Sequence, residues 1–81
     1  MDSDNLIRMA NRIGDFFASM PDRAEALDGI ANHIQKFWEP RMRQQFLDML
    51  DSPASLDLKD IVREAVVLHR ARLQPASRAP A

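Results

Sequence analysis

Residues 22–40 read DRAEALDGIANHIQKFWEP, and this stretch decides the fold. Its apolar residues recur every three or four positions and are opposed by polar ones, the spacing of an α-helix with one buried face. Asp22, followed three residues later by Glu25, resembles a capping box and predicts that the helix begins there. Pro40 disfavours the α conformation at the residue before it and suits the first position of a helix. This helix is therefore expected to end near Trp38, and the next to begin at Pro40.

The segment before this stretch predicts a first helix with a wide apolar face, capped by Ser3 or Asp4. Its apolar stripe consists of Leu6, Met9, Ala10, Ile13, Phe16, Phe17 and Met20. A flank formed by Ile7, Gly14 and Ala18 widens the apolar arc to about 200°, whereas a surface helix needs about 100°. We therefore expect this helix to contact neighbours on two sides. Glycine in a helix interior lowers stability by about 1 kcal/mol relative to alanine. The presence of Gly14 therefore indicates close approach of another backbone, inside the bundle or at a partner.

The segments after the stretch predict two more helices and a tail. A third helix is expected from Pro40 to about Leu50, followed by a loop over 51–55. A fourth helix, capped by Ser55 or Asp57, is expected to end at about Arg72 or Leu73. The fold class is therefore all-α: a compact bundle of four helices joined by short turns over residues 1–73. Residues 74–81 contain two prolines and little to bury, which predicts a disordered C-terminal tail.

The composition excludes several classes of protein. The chain has no cysteine, so it has no disulfide, no thiolate metal ligand and no cysteine nucleophile. Eleven Lys and Arg against twelve Asp and Glu give no net attraction to nucleic acid or anionic lipid. The acidic start and the lack of a run of about 18 apolar residues predict neither a signal peptide nor a membrane span. We therefore expect a cytoplasmic protein whose partners include neither nucleic acid nor membrane; a small helical nucleic-acid-binding regulator is the alternative that this charge disfavours.

The sequence predicts no catalytic, cofactor-binding or metal-binding residue. His33 and His69 lie on different predicted helices, without a second imidazole or a carboxylate at the spacing of a helical metal site. The serines fall in caps, turns or the tail, with no glycine-rich elbow nearby. Binding, rather than chemistry, is the expected function.

One corner of the sequence breaks a local rule twice. Arg41 and Arg43 occupy the first turn of the third helix, where the helix dipole disfavours a cation by about 0.3 to 1 kcal/mol. A tryptophan beside a rigid proline and two arginines has the composition of an interface hot spot. The alternative is that Trp38 fills the core while the arginines cap the last carbonyls of the second helix, and chemistry alone leaves both open. The predicted partner-binding residues are Trp38, Glu39, Pro40, Arg41 and Arg43 of the corner, with Ile7, Gly14 and Ala18 of the first helix.

The chain resembles a known family at four stretches: NLIRMANRIGDFF (5–17), PD (21–22), IANHI (30–34) and FWEPRMR (37–43). They are similar to the delta subunit of NAD-dependent, molybdenum-type formate dehydrogenase over about residues 5–50. The resemblance implies a soluble complex that oxidises formate to carbon dioxide and reduces NAD. Its large subunit holds a bis-pterin molybdenum (or tungsten) cofactor and iron–sulfur clusters, and other subunits hold FMN and further clusters.

In that family the delta subunit is small and carries no cofactor. The resemblance therefore implies a non-catalytic accessory subunit that binds the large catalytic subunit for assembly or stability. A second possibility is a dissociable maturation chaperone that acts during insertion of the molybdenum cofactor. The isolated chain is also a candidate homodimer.

Overall fold

The computed structural model describes residues 2–75, which form five α-helices and one 3-10 helix. The helices are α1 (Ser3–Phe17), α2 (Arg23–Phe37), α3 (Pro40–Met49), the 3-10 helix (Pro53–Asp57), α4 (Asp60–Leu68) and α5 (Arg70–Leu73). No β-strand occurs between residues 2 and 75, and the all-α prediction is confirmed. The predicted tail lies outside the described residues from position 76 onward.

The second helix begins and ends where its sequence predicts. Oδ1 of Asp22 accepts hydrogen bonds from the backbone N–H groups of Ala24, at 2.9 Å, and Glu25, at 3.3 Å. Both donors would otherwise be unsatisfied at the start of the helix. The backbone then becomes extended at Trp38, and Pro40 opens α3.

The first helix is shifted relative to its prediction. Its cap is Asp2, whose Oδ1 accepts from the Asn5 N–H at 2.9 Å, so neither Ser3 nor Asp4 caps it. The helix ends at Phe17, and the three residues that follow form a turn leading into Pro21.

The predicted loop and fourth helix also differ from the observed ones. Ser52 caps a 3-10 helix by accepting from the Ala54 N–H, so most of the expected loop is helical. The fourth helix then begins only at Asp60, and neither Ser55 nor Asp57 caps it. It is also interrupted at His69, after which the short α5 packs against α2 and α3.

The core is a single cluster to which every α-helix contributes. Its largest fully buried side chains are Leu6, Ile30, Ile34, Phe46, Leu47, Val62, Val66 and Leu73. Burial of an aliphatic or aromatic side chain of this size stabilises a fold by about 1.5 to 3 kcal/mol. In this bundle α1 packs against α2, α3 and α4, while α2 also packs against α4 and α5.

Polar contacts fix the start of α4 on α1. The side-chain amide of Asn11 donates to the Asp57 carbonyl at 3.1 Å and accepts from the Lys59 N–H at 2.8 Å. The Lys59 ammonium also pairs with Asp15 at 2.8 Å. Two further exposed ion pairs, Arg23–Glu64 and Arg72–Asp28, join α2 to α4 and α5. Each exposed pair contributes at most about 1 kcal/mol.

Candidate partner-binding surfaces

The indole of Trp38 lies inside the bundle. Only 6% of the residue is exposed, and its ring meets the buried ring of Phe46 edge to face, with centroids 5.2 Å apart. This arrangement is favourable for aromatic pairs in a core. The structure therefore assigns Trp38 the core position that the sequence offered as the alternative to a direct contact with a partner.

The two arginines of the corner have different surroundings. Arg43 is half-buried, and its Nη1 donates to the carbonyl of Gln35 in the last turn of α2 at 3.1 Å. It thus caps a carbonyl of the second helix, whereas Arg41 is exposed and has no ion-pair partner among residues 2–75. Glu39 and Pro40 are also exposed. The accessible part of the corner therefore consists of Glu39, Pro40 and Arg41.

The predicted flank of the first helix mostly faces the chain's own core. Ile7 is buried, and Gly14 is buried against α4. A Cβ on Gly14 would lie closer than 3.0 Å to Cγ2 of Val62, so the close approach involves a valine side chain within the bundle. Of the three flank residues only Ala18 is exposed.

An exposed aromatic surface lies on the other side of α1 and at the end of α2. The helical periodicity had predicted that these side chains face the core. Phe16 is 72% exposed, and Phe37, at the end of α2, is 71% exposed. The signal for this surface was present in the sequence, because an apolar arc of about 200° exceeds what one buried face requires. The pattern did not distinguish which side of the arc the bundle covers.

These rings form a row that crosses from α1 to α2. Phe16 and Phe17 meet edge to face, with ring centroids 5.0 Å apart. The ring centroids are 6.5 Å apart for Phe17 and His33 and 4.8 Å apart for His33 and Phe37. Phe16, Phe17 and His33 of this row line an open groove of about 460 Å³, and Phe37 adjoins the groove through its contact with His33. The groove is lined by Arg12, Ile13, Phe16, Phe17 and His33.

The other histidine and the acidic side chains form no metal site in the described part of the chain. His69 lies 3.5 Å from an Arg72 nitrogen, at the break between α4 and α5. No three His, Asp or Glu side chains of residues 2–75 are placed to hold a metal ion. None of the described helices has the length and apolarity needed to cross a membrane.

An all-helical bundle whose most exposed aromatic rings border an open groove has the features of a protein that binds other proteins. A comparison with protein-family models identifies the family. The model of the NADH-dependent formate dehydrogenase delta subunit, FdsD, matches residues 5–66, and the chain belongs to this family. Searches of curated proteins and of solved structures gave no significant match.

Proposed function

We propose that this chain is a non-catalytic accessory subunit of a cytoplasmic, NAD-dependent formate dehydrogenase, and that it binds the large molybdenum-containing subunit to assemble or stabilise the complex. The observation that carries the proposal is the family match over residues 5–66. The matched region includes all of α2 and α3 and most of α1 and α4. It therefore contains both the accessible corner at Arg41 and the aromatic row.

The residues of this chain do not fit the iron–sulfur clusters that such a complex implies. Iron–sulfur clusters are held by cysteine thiolates, and the chain has no cysteine. Within residues 2–75 the side chains of histidines and carboxylates do not converge on a metal site. We assign the bis-pterin molybdenum (or tungsten) group, the clusters and FMN to other subunits, and we assign binding to this one.

At the corner, we propose that Arg41, Glu39 and Pro40 contact the partner and that the buried members hold them in place. Trp38 and Arg43 would act in this indirect way, because their side chains pack on Phe46 and on the end of α2. Ile7 and Gly14 would likewise position α1, leaving Ala18 accessible.

The first test is to purify a tagged copy from its native cytosol, identify the proteins that accompany it, and assay the eluate for formate-dependent NAD reduction. An active eluate with the large subunit in equal amount supports a permanent structural subunit. An inactive eluate with cofactor-poor large subunit would instead indicate a dissociable maturation chaperone. Recovery of no formate dehydrogenase subunit would refute both.

The corner is tested with Arg41→Glu. Arg41 is exposed and has no ion-pair partner among the described residues, so charge reversal should leave the fold intact. Arg70→Glu on α5 is the control, since it makes the same change of charge elsewhere on the surface. It also breaks an exposed ion pair with Asp51 at 3.9 Å, worth at most about 1 kcal/mol, so the melting temperatures of both variants are compared first. We expect less co-purified large subunit with Arg41→Glu than with the control. Equal recovery from the two variants would remove the corner from the interface.

A further inference from the structure

The surface with the strongest features of a docking site is the aromatic groove between α1 and α2, which is lined by Phe16, Phe17 and His33 and adjoined by Phe37. We propose that this groove binds an apolar segment of the large subunit, one in which carboxylates flank an aliphatic or aromatic side chain. The inference rests on the proposed function, since it places the groove at a contact within the formate dehydrogenase complex.

Exposure and geometry are the first support. Phe16 and Phe37 are each more than two-thirds exposed, yet both belong to a continuous row of ring contacts instead of projecting singly. Isolated exposed apolar residues are ordinary, whereas adjoining ones that border a groove mark interaction sites. Aromatic rings are also the side chains that most often dominate binding energy.

The floor of the groove is already formed in the absence of a partner. The ring of Phe17 lies on Gly29 of α2, where a Cβ would come within 2.5 Å of a ring carbon. Phe17 also contacts Phe16 and His33 on either side. A surface ordered in advance loses less conformational entropy on binding.

The charges around the groove select the chemistry of the occupant. Arg12 lines the groove one helical turn before Phe16, and Lys36 lies one turn beyond His33 on α2. Neither side chain makes an ion pair within residues 2–75. The nearest following acid on α1, Asp15, is paired with Lys59 at 2.8 Å. The groove therefore presents the unpaired cation of Arg12 beside apolar rings, with Lys36 one helical turn from His33, and this is complementary to a segment that carries carboxylates beside an apolar anchor.

The test measures how much large subunit co-purifies with a tagged Phe16→Ala/Phe37→Ala variant. Both side chains are already mostly in solvent, so their removal should leave the helix content and the melting temperature nearly unchanged. Leu56→Ala is the matched control, because Leu56 is 75% exposed but lies in the 3-10 helix. We expect the double variant to retain about tenfold less large subunit than the control.

The proposed attraction between Arg12 and an acidic partner segment has its own test. Arg12→Glu should reduce recovery more than Arg70→Glu does, and added salt should weaken binding of the wild-type chain. Equal losses for these two variants, together with salt-independent binding, would overturn the choice of an acidic partner segment.

The outcomes separate this inference from the proposed function. If the wild-type chain retains the large subunit and Phe16→Ala/Phe37→Ala retains it equally well, the groove proposal is wrong while the accessory role stands. If the wild-type chain retains no formate dehydrogenase subunit, the proposed function itself fails. If the double variant instead converts a dimer of the isolated chain to a monomer and leaves complex formation unchanged, the groove binds a second copy, and the proposal is overturned.

Discussion

Replacing Gly14 by alanine tests how α1 and α4 fit together. In a helix interior, alanine is more favourable than glycine by about 1 kcal/mol. Here the added Cβ would lie closer than 3.0 Å to Cγ2 of Val62, which is fully buried. Valine in a helix has essentially one available χ1 rotamer, so its methyl group cannot rotate away. Overpacking of this kind typically costs about 1 to 3 kcal/mol.

The two effects oppose each other, and the packing effect should be the larger. We expect Gly14→Ala to lower the free energy of unfolding by about 1 kcal/mol, and the melting temperature by about 4 to 8 °C for a domain of this size. Urea unfolding followed by circular dichroism measures this change. In a Val62→Ala background the clashing methyl is absent, so the same substitution should stabilise the chain by about the helix-propensity difference of 1 kcal/mol.

Gly29→Ala is the matched control in the second helix. Its Cβ would meet the ring of Phe17, which is only partly buried and can move outward. Its cost should therefore be smaller than that of Gly14→Ala. The reasoning is refuted if Gly14→Ala stabilises the wild-type chain, or if its effect is the same with and without the Val62 methyl groups.

Three other substitutions have expected outcomes that follow from single contacts, each measured as the change in unfolding free energy. Asn11→Ala should cost about 1 to 3 kcal/mol, because it removes the bonds to the Asp57 carbonyl and the Lys59 N–H; a loss below 0.5 kcal/mol would mean that water replaces the amide without penalty. Trp38→Ala should cost about 3 to 5 kcal/mol, as expected for a buried ring, and a nearly neutral result would contradict its place in the core. Asp22→Ala should cost about 1 kcal/mol by uncapping α2, and Asp22→Asn should restore most of it; equal losses for both would show that the cap is not the cause.

The second helix was predictable because all of its determinants are local. The Asp22 cap, the apolar stripe and Pro40 lie within one stretch of sequence, and each acts on neighbouring residues. The beginning of α4 was not predictable in this way. It lies beyond a 3-10 helix capped by Ser52, and its junction is held by Asn11 from the opposite end of the chain.

The candidate site was predictable only in part, for a related reason. Helical periodicity gives the angle at which each side chain leaves α1, but the neighbours present at each angle depend on the tertiary fold. The sequence therefore predicted a helix with contacts on two sides and left open which side the bundle covers. The structure places Gly14 against Val62 and leaves Phe16 in solvent. At the corner, the sequence allowed Trp38 two interpretations, and its burial against Phe46 in the tertiary fold distinguishes them.

The contacts of Asn11 also bear on the order in which the chain is completed. Asn11 lies 46 positions before Asp57 and 48 positions before Lys59, so its contacts form only after residue 59 has been synthesised. Contacts this distant along the chain slow folding relative to a bundle held by neighbouring helices alone. A nascent chain that stops before Asp57 would expose the α1 surface that α4 covers, including Gly14, on which Val62 packs in the complete fold. Closure of the core between α1 and α4 should therefore be a late step in the folding of this domain.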